Sequence, residues 1–382
     1  MINNVSHENA PQLATIKLYA MGCHIQISLN TARLNTERLS TPYSQASIDQ
    51  QVALLADDIQ QQLVYWEHIF SRFDDTSELM TLNSNTGQWT NVSAELFAML
   101  QRAIYFVPKT QGLVTPTLLK SMWVAGYKQS FEALPKHAIS SLPISTTNTA
   151  STAITGASLQ DTSVTNDAQL NHANQHAERI RMRLLDNGQQ QICLPTGMAL
   201  DLNGYVKGWC AMQLAEQISQ LHNWHFPCLV DMGGDIAIGV PSDQDIDKPI
   251  VWGVAVAKPH LMNGEPIQDQ EDVAILAIKS GGVATSGQDY RRWWHKGQWQ
   301  HHLIHPHYSR PVSSDVLTAT VLADDTLMAE VYAKYCVLLG VNEAMAWLNK
   351  NHIAALLIAT DNQVLTSHAI SSNLVHSESI AI

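Results

Sequence analysis

The chain has 382 residues, of which 45% are hydrophobic and 15% are charged, and its formal net charge is -12. A chain of this size and hydrophobic content can bury a substantial core. The acidic balance, without any basic run, argues against a nucleic-acid-binding surface. No apolar run approaches the roughly 20 residues that cross a bilayer, and the first eight residues lack the basic and apolar regions of a secretory signal. We therefore expect no nucleic-acid partner, no membrane span and, for the chain as written, a cytoplasmic location.

The first half of the chain contains a strand pattern, two helix patterns and two polar stretches. Residues 15–30 alternate apolar and polar positions, which predicts a strand or a hairpin. Residues 31–48 are polar and are interpreted as an insertion, whereas 48–70 have apolar residues every three or four positions and predict an amphipathic helix. A second helix is expected over 93–106, with a serine as its N-cap. Residues 137–178 are rich in small and polar residues, so we expect a flexible insertion there.

The second half of the chain predicts further strands that alternate with two helices. A hairpin is expected from strands at 181–185 and 191–194, joined by a turn containing Asn-Gly. Further strands are expected at 228–231, 252–256, 273–279 and 318–322, and a last helix at 326–339. These elements predict an α/β (α+β) fold. We expect one domain over 15–370, with a central mixed, largely antiparallel sheet and with tails at 1–14 and 371–382.

Residues 201–208 (DLNGYVKG) are the most informative segment of the chain. The segment begins within 198–202, which we interpret as the end of a buried strand, and a helix is expected to begin near Tyr205. The unpaired N–H groups of a first helical turn favour anions. Gly204 would let a ligand approach the backbone, and Lys207 adds a positive charge that suits a phosphate. Taken alone, an ordinary strand–turn–helix corner explains the segment equally well.

Other familiar site patterns are missing from the sequence. The five cysteines form no C-x-x-C pair, so we expect all five to be structural. Five histidines between 295 and 307 could indicate a metal site, but their spacing fits no zinc motif, and we expect a loop. No G-x-G-x-x-G, Walker or G-x-S-x-G motif occurs where it would predict a nucleotide site or a nucleophile elbow.

Five blocks of sequence, in order, carry a resemblance to a known family. They comprise 21–23 (MGC), 70–79 (FSRFDDTSEL), 201–208, 229–236 (LVDMGGDI), and 283–292 (VATSGQDYRR) followed by 302–306 (HLIHP) and 309–311 (SRP). Together they resemble the ApbE-like flavin transferases, also called FAD:protein FMN transferases. The matches run from about Tyr19 to Gly340.

The resemblance implies an α/β fold peculiar to this family, with FAD bound in a cleft as a substrate. The implied reaction transfers FMN from FAD to a Ser or Thr hydroxyl of a partner protein and releases AMP. Asp235 and Arg291 are expected to hold the fold and a loop in place. His302 is the candidate general base, since an ordinary histidine pKa suits that role. The FAD-contacting positions of the family fall on Met21, Ser71, Arg72, Phe73, Thr115, Asp201, Lys207, Ser286, Gly287 and Ile304.

The sequence departs from the family at the implied Mg²⁺ site. Gly204 can supply the backbone carbonyl, but Glu330 replaces an Asp and Lys334 replaces a Thr at the other two ligand positions. Two explanations are open. The Lys334 ammonium could occupy the place of the ion, or the two residues could simply form an i, i+4 ion pair at a decayed metal site. The function alternatives are a catalytically weak flavin-binding protein of the same fold, and hydrolysis of FAD to FMN and AMP.

Overall fold

An eight-stranded sheet forms the centre of the structure. The computed structural model describes residues 13–32, 45–134, 176–220, 226–242, 249–259, 261–262, 265–266 and 272–376. Every neighbouring pair of strands in this sheet is antiparallel. In sheet order the strands are β1 (Leu13–Ala20), β2 (Cys23–Asn30), β6 (Cys228–Met232), β7 (Asp235–Gly239), β12 (Gly281–Gly287), β17 (Val316–Ala323), β18 (Ala355–Ala359) and β19 (Val364–Thr366).

Smaller sheets and hairpins surround the central one. One three-stranded sheet has the order β20 (Leu374–His376), β11 (Asp272–Ile278) and β8 (Trp252–Ala257), and another has the order β3 (Thr90–Val92), β5 (Gln190–Cys193) and β4 (Arg181–Leu184). The two-stranded pairs are β9 (Leu261–Met262) with β10 (Glu265–Pro266), β13 (Arg292–His295) with β14 (Gln298–His301), and β15 (Ile304–His305) with β16 (Arg310–Pro311).

Helices pack against strands of the central sheet. They are α1 (Gln45–Phe70), α2 (Glu78–Ser84), α3 (Ala94–Lys109), α4 (Leu119–Val124), α5 (Val206–Gln220), α6 (Thr326–Leu339) and α7 (Val341–Lys350). Across the described residues, no helix combines the length and the apolar character that a membrane crossing requires.

The two faces of the central sheet pack into different clusters of the core. Ile25, Ile27 and Leu29 alternate along β2 and join a cluster that also contains residues of α1, α3 and α5. On β7, Ile236 and Ile238 face the other way and pack with residues of β8 and β11. Full burial of each such side chain contributes roughly 1.5–3 kcal/mol, so the period-two pattern of the strands fixes which face each helix and sheet covers.

Most of the long elements match the sequence prediction, including the fold class. The hairpin at 15–30 is β1 and β2, the helix of 48–70 begins slightly earlier as α1, and α6 has the predicted bounds. Ser93 caps α3, since its hydroxyl accepts a hydrogen bond from the Leu96 amide at 3.2 Å. The predicted turn at 186–188 joins β4 to β5, with Gly188 at a positive φ of 82°.

The prediction of a strand end at 198–202 is wrong. The segment is buried, but it pairs with no strand of the described residues. The side-chain amide of Asn83 takes the place of a neighbouring strand: its oxygen accepts from the Leu200 amide at 2.7 Å and its nitrogen donates to the Leu200 carbonyl at 3.0 Å. The Asp201 amide donates to the Pro116 carbonyl at 2.8 Å. The apolar run therefore predicted burial correctly but strand pairing incorrectly. Its backbone N–H and C=O groups are hydrogen-bonded by a side chain and a loop instead of by a neighbouring strand.

Several short elements escaped prediction. The histidine cluster lies in the hairpins β13–β14 and β15–β16 and the turns beside them, not in one loop. Strands of two to four residues carry too little periodicity to be recognised. β20 pairs with β11 inside the expected tail at 371–382, and α1 begins inside the expected insertion at 31–48. Of the expected flexible insertion, 137–175 lies outside the described residues, and Ala177 at its end is buried in a 3₁₀ turn.

Candidate functional site

Three neighbouring cavities meet where residues 201–205 lead into α5. The largest, called here the wide cavity, has a volume of about 630 Å³. The Met21 cavity measures about 170 Å³ and the Thr115 cavity about 70 Å³. Asn203 and Arg291 line all three, so the cavities adjoin at these two side chains. Their combined size falls in the usual range for sites that bind small molecules and cofactors.

Behind this meeting point lies a buried ion pair between Arg72 and Asp201. The Arg72 Nε lies 3.4 Å from Oδ2 of Asp201, and neither side chain is more than 4% exposed. The guanidinium lies between the rings of Phe73 and Tyr127, 4.2 Å from each ring centroid, and donates to the Tyr127 carbonyl at 2.8 Å. Asp201 Oδ1 accepts from the Asn203 amide at 2.9 Å. The pair thus fixes the turn that carries Asn203 into the cavities.

Lys207, in the first turn of α5, lines the Met21 cavity and the wide cavity. Its ammonium donates to Oδ2 of Asp235 at 2.5 Å. Burial is the largest influence and acts to lower the pKa of Lys207, but the Asp235 carboxylate, with help from Glu330, raises the pKa overall. Asp235 therefore keeps Lys207 protonated and holds it at the cavity wall, as the sequence interpretation of Asp235 expects.

Glu330 on α6 has both carboxylate oxygens occupied by donors. Oε1 accepts from the Lys334 ammonium at 2.9 Å, and Oε2 accepts from the Gly208 amide at 2.9 Å. Burial raises the pKa of the Glu330 carboxyl, and the adjacent ammonium opposes that rise. The Lys334 side chain passes over the backbone of Gly204: a Cβ at that position would lie 3.3 Å from its Cε. Glu330 thereby joins α6 to the first turn of α5.

His302 follows β14 and lines both the Thr115 cavity and the wide cavity. Its pKa lies well below the ordinary value, first because of burial, then because of the positive charge of Arg291 and the neighbouring His301, with smaller effects from Lys334 and Lys207. Its Nδ1 is buried and has no hydrogen-bond partner among the described residues. The imidazole is thus neutral near pH 7, which is the form that can accept a proton.

The structure brings together nearly every residue that the sequence singled out. Arg72 is the exception, since it lies behind the cavity wall and touches the site through Asp201 and Tyr127. The other predicted residues line at least one of the three cavities: Met21, Ser71, Phe73, Thr115, Asp201, Gly204, Lys207, Ser286, Gly287, His302, Ile304, Glu330 and Lys334.

The sequence did not predict that Arg291 lines the cavities, nor which residues form one side of the wide cavity. Arg291, expected only to hold a loop, is half-buried at the meeting point of the cavities and forms no ion pair with another described residue. Tyr127 lines two cavities, and 254–259 at the end of β8 form one side of the wide cavity. The doubled arginine in 283–292 was the available signal for Arg291, whereas nothing in the β8 sequence indicates a cavity.

In the described part of the chain, the cysteines and histidines do not form a separate site. All five cysteines are buried and free, as the sequence predicts, and burial raises the pKa of the Cys228 and Cys336 thiols to about 12. Thiols with such pKa values are protonated and unreactive at neutral pH. Across the described ranges, no three His, Cys, Asp or Glu side chains are grouped to hold a metal ion.

Comparison with known proteins identifies the family. The ApbE family model matches residues 21–357. The chain belongs to the ApbE family. Two relatives named FAD:protein FMN transferase are similar along most of their length. The protein of Treponema pallidum is 26% identical over 315 residues, 80% of this chain and 76% of the relative. That of Chlamydia trachomatis is 26% identical over 329 residues, 82% of this chain and 86% of the relative.

Solved ApbE structures share the fold. The ApbE protein of Thermotoga maritima aligns with a TM-score of 0.68 and 18% identity, over 94% of this chain and 97% of its own. The flavin transferase ApbE of Vibrio cholerae aligns with a TM-score of 0.65 and 18% identity, over 96% of this chain and 100% of its own. At this identity the likeness supports the fold of the ApbE family, and the site must be argued from its own residues.

The Mg²⁺ that the resemblance implies does not fit the residues present. Mg²⁺ requires near-octahedral oxygen ligands, but both oxygens of Glu330 are already hydrogen-bonded. The Lys334 ammonium occupies the remaining side-chain position, and an ammonium has no lone pair to donate. Any ion bound by Glu330 would therefore be repelled by the Lys334 ammonium, which lies 2.9 Å from its Oε1.

Proposed function

We propose that this ApbE-family chain is a FAD:protein FMN transferase, which moves FMN from FAD to a Ser or Thr hydroxyl of a partner protein and releases AMP. The observation that carries the proposal is the position of His302, a neutral imidazole where the Thr115 cavity adjoins the wide cavity. Lys207, Arg291 and Lys334 supply positive charge beside it. Transfer of a phosphoryl group needs this combination of a base and preorganised cations.

In the proposed step, one bond to phosphorus forms as another breaks, and a residue of this chain takes the released proton. The acceptor oxygen forms a bond to the phosphorus of the FMN half, and the bond from that phosphorus to the bridging oxygen breaks. AMP leaves with the bridging oxygen, and His302 takes the proton of the acceptor hydroxyl. The lowered pKa of His302 makes it a weak base when the site is empty. The negative charge of bound phosphates would raise that pKa toward neutrality and strengthen the base.

Arg291 has a part in binding that the resemblance did not assign. Lys207 and Lys334 are each paired with a carboxylate. Arg291 has no such partner among the described residues and borders all three cavities. We assign it to the pyrophosphate, because a guanidinium can bind two phosphate oxygens at once.

The test is an assay of the purified protein with FAD and synthetic peptides, each carrying one Ser or Thr. A peptide that gains the mass of FMN less one water, together with equimolar AMP, supports transfer. AMP with free FMN only would indicate hydrolysis, and FAD bound but unchanged would indicate a carrier. His302→Ala should retain FAD affinity and lose about a hundredfold or more in transfer, the size of a lost general base. His307→Ala, on an exposed turn beside it, is the matched control.

A further inference from the structure

We propose that the Lys334 ammonium is the resident cation of this site, and that it neutralises substrate phosphates at the Gly204 backbone without a divalent metal ion. The inference rests on the proposed function for the identity of the substrate. It concerns binding, however, and can fail while that function stands.

The hydrogen bonds of Lys334 leave it able to bind a ligand. An ammonium has three donors. One points to Glu330 Oε1 at 2.9 Å and a second to the Glu330 carbonyl at 3.4 Å. The third has no partner among the described residues, and Lys334 borders both the Thr115 cavity and the wide cavity. A phosphate oxygen in either cavity would complete its hydrogen bonding.

Gly204 is what allows Lys334 to reach this position. The lysine stem lies over Gly204, where a Cβ would approach Cε to 3.3 Å and Cδ to 3.6 Å. The lysine therefore lies beside the turn that leads into α5, whose Tyr205 and Val206 amides already donate to the Leu202 carbonyl. The Gly208 amide of that turn is already used by Glu330, so Glu330 anchors both the helix start and the cation.

Burial separates this pair from an ordinary surface ion pair. The side chain of Glu330 is 1% exposed and that of Lys334 is 12% exposed. An exposed i, i+4 pair adds little to stability, and a buried one is often no better than apolar residues of the same volume. The pair is therefore better explained by a use for the cation in the cavity than by a contribution to folding.

The test is calorimetric titration with FAD, with riboflavin and with Mg²⁺ alone, on the full chain. For the native protein we expect FAD affinity to change less than about twofold between excess Mg²⁺ and excess chelator. Mg²⁺ alone should give no saturable binding in the millimolar range. Lys334→Met should weaken FAD about tenfold or more, as for a lost hydrogen bond to a charged group. Riboflavin, which has no phosphate, should be little affected.

Three further variants keep the test decisive. Lys334→Met leaves Glu330 buried without its partner and could unfold the protein, so Glu330→Gln with Lys334→Met, which removes both charges, is measured alongside it. The same change at an exposed lysine of α7, Lys350→Met, controls for loss of net charge. Glu330→Asp with Lys334→Thr should create a dependence of FAD affinity on Mg²⁺, because it frees carboxylate and hydroxyl oxygens.

The outcomes distinguish the inference from the proposed function. Native FAD affinity that falls more than about tenfold on chelation would overturn the inference and leave transferase function intact. Equal losses for FAD and riboflavin in the double variant Glu330→Gln with Lys334→Met would also overturn it. If FAD fails to bind under every condition, the proposed function is wrong and the inference falls with it.

Discussion

Replacement of Arg72 by Met tests whether this residue holds the site together or merely borders it. The change keeps most of the side-chain volume but removes the charge that faces Asp201 at 3.4 Å. Loss of one partner of a buried ion pair costs about 3–5 kcal/mol. We take about 3 kcal/mol, because Asp201 retains the hydrogen bond from the Asn203 amide. The Tyr127 carbonyl loses its donor as well, which adds about 1 kcal/mol.

We therefore expect Arg72→Met to lower the free energy of unfolding by about 4 kcal/mol. Urea denaturation followed by tryptophan fluorescence measures this, with an unchanged m-value showing that the two end states are comparable. Arg179→Met, at an exposed position, should change stability by less than about 0.5 kcal/mol. Asp201→Asn combined with Arg72→Met should recover part of the loss, because no unpaired carboxylate remains. A loss below about 1 kcal/mol in Arg72→Met, or none recovered in the double variant, would refute this reasoning.

Three other predictions follow from buried contacts. Burial lowers the pKa of His301 to about 4 from 6.5. As the pH drops from 6.5 to 4, the unfolded chain therefore binds a proton at His301 before the folded chain does, and the free energy of unfolding should fall by up to about 3 kcal/mol. In His301→Gln this pH-dependent loss of stability should be absent. Gly208→Ala should destabilise the protein by about 1–3 kcal/mol in thermal melts, because a Cβ would lie 2.9 Å from the Thr326 carbonyl. Gly253→Ala should be neutral, because a Cβ there would make an ordinary contact of 3.7 Å with the Ile275 side chain. Lys207→Ala should weaken FAD more than riboflavin in titrations, since it removes a cation and leaves its carboxylate partner unpaired; equal losses would remove Lys207 from the phosphate site.

The sequence predicted the parts of the fold that repeat over many residues. The 26-residue helix α1 and the eight-residue strands β1 and β2 carry several turns or alternations, so their hydrophobic period is clear. The hairpins around the histidine cluster have strands of two to four residues and carry almost none. The hydrophobic pattern therefore predicted the long helices and strands, but not the short hairpins that close one side of the cavities.

The site was predictable where a residue's role depends on its neighbours in sequence. Gly204 and Lys207 lie together in one segment, and the structure places both at the cavities. The partner of Lys207 is Asp235, 28 residues away, and the partner of Arg72 is Asp201. Such pairings depend on tertiary packing, which cannot be inferred from the pattern of a single sequence. For the same reason the sequence predicted a FAD contact for Arg72 but not its buried ion pair with Asp201.

The wide cavity lies between two sheets that share no strand. Its floor includes β12 and β17 of the central sheet, while one side is the end of β8 in the sheet completed by β20. Between them, the packing is apolar, with Ile236 and Ile238 against Val254 and Leu276. Among the described residues no ladder pairs the two sheets, so side-chain packing sets their relative position. The width of the wide cavity on this side is therefore set by the volumes of those apolar side chains, while β20 lies at the far edge of the smaller sheet, separated from β8 by β11.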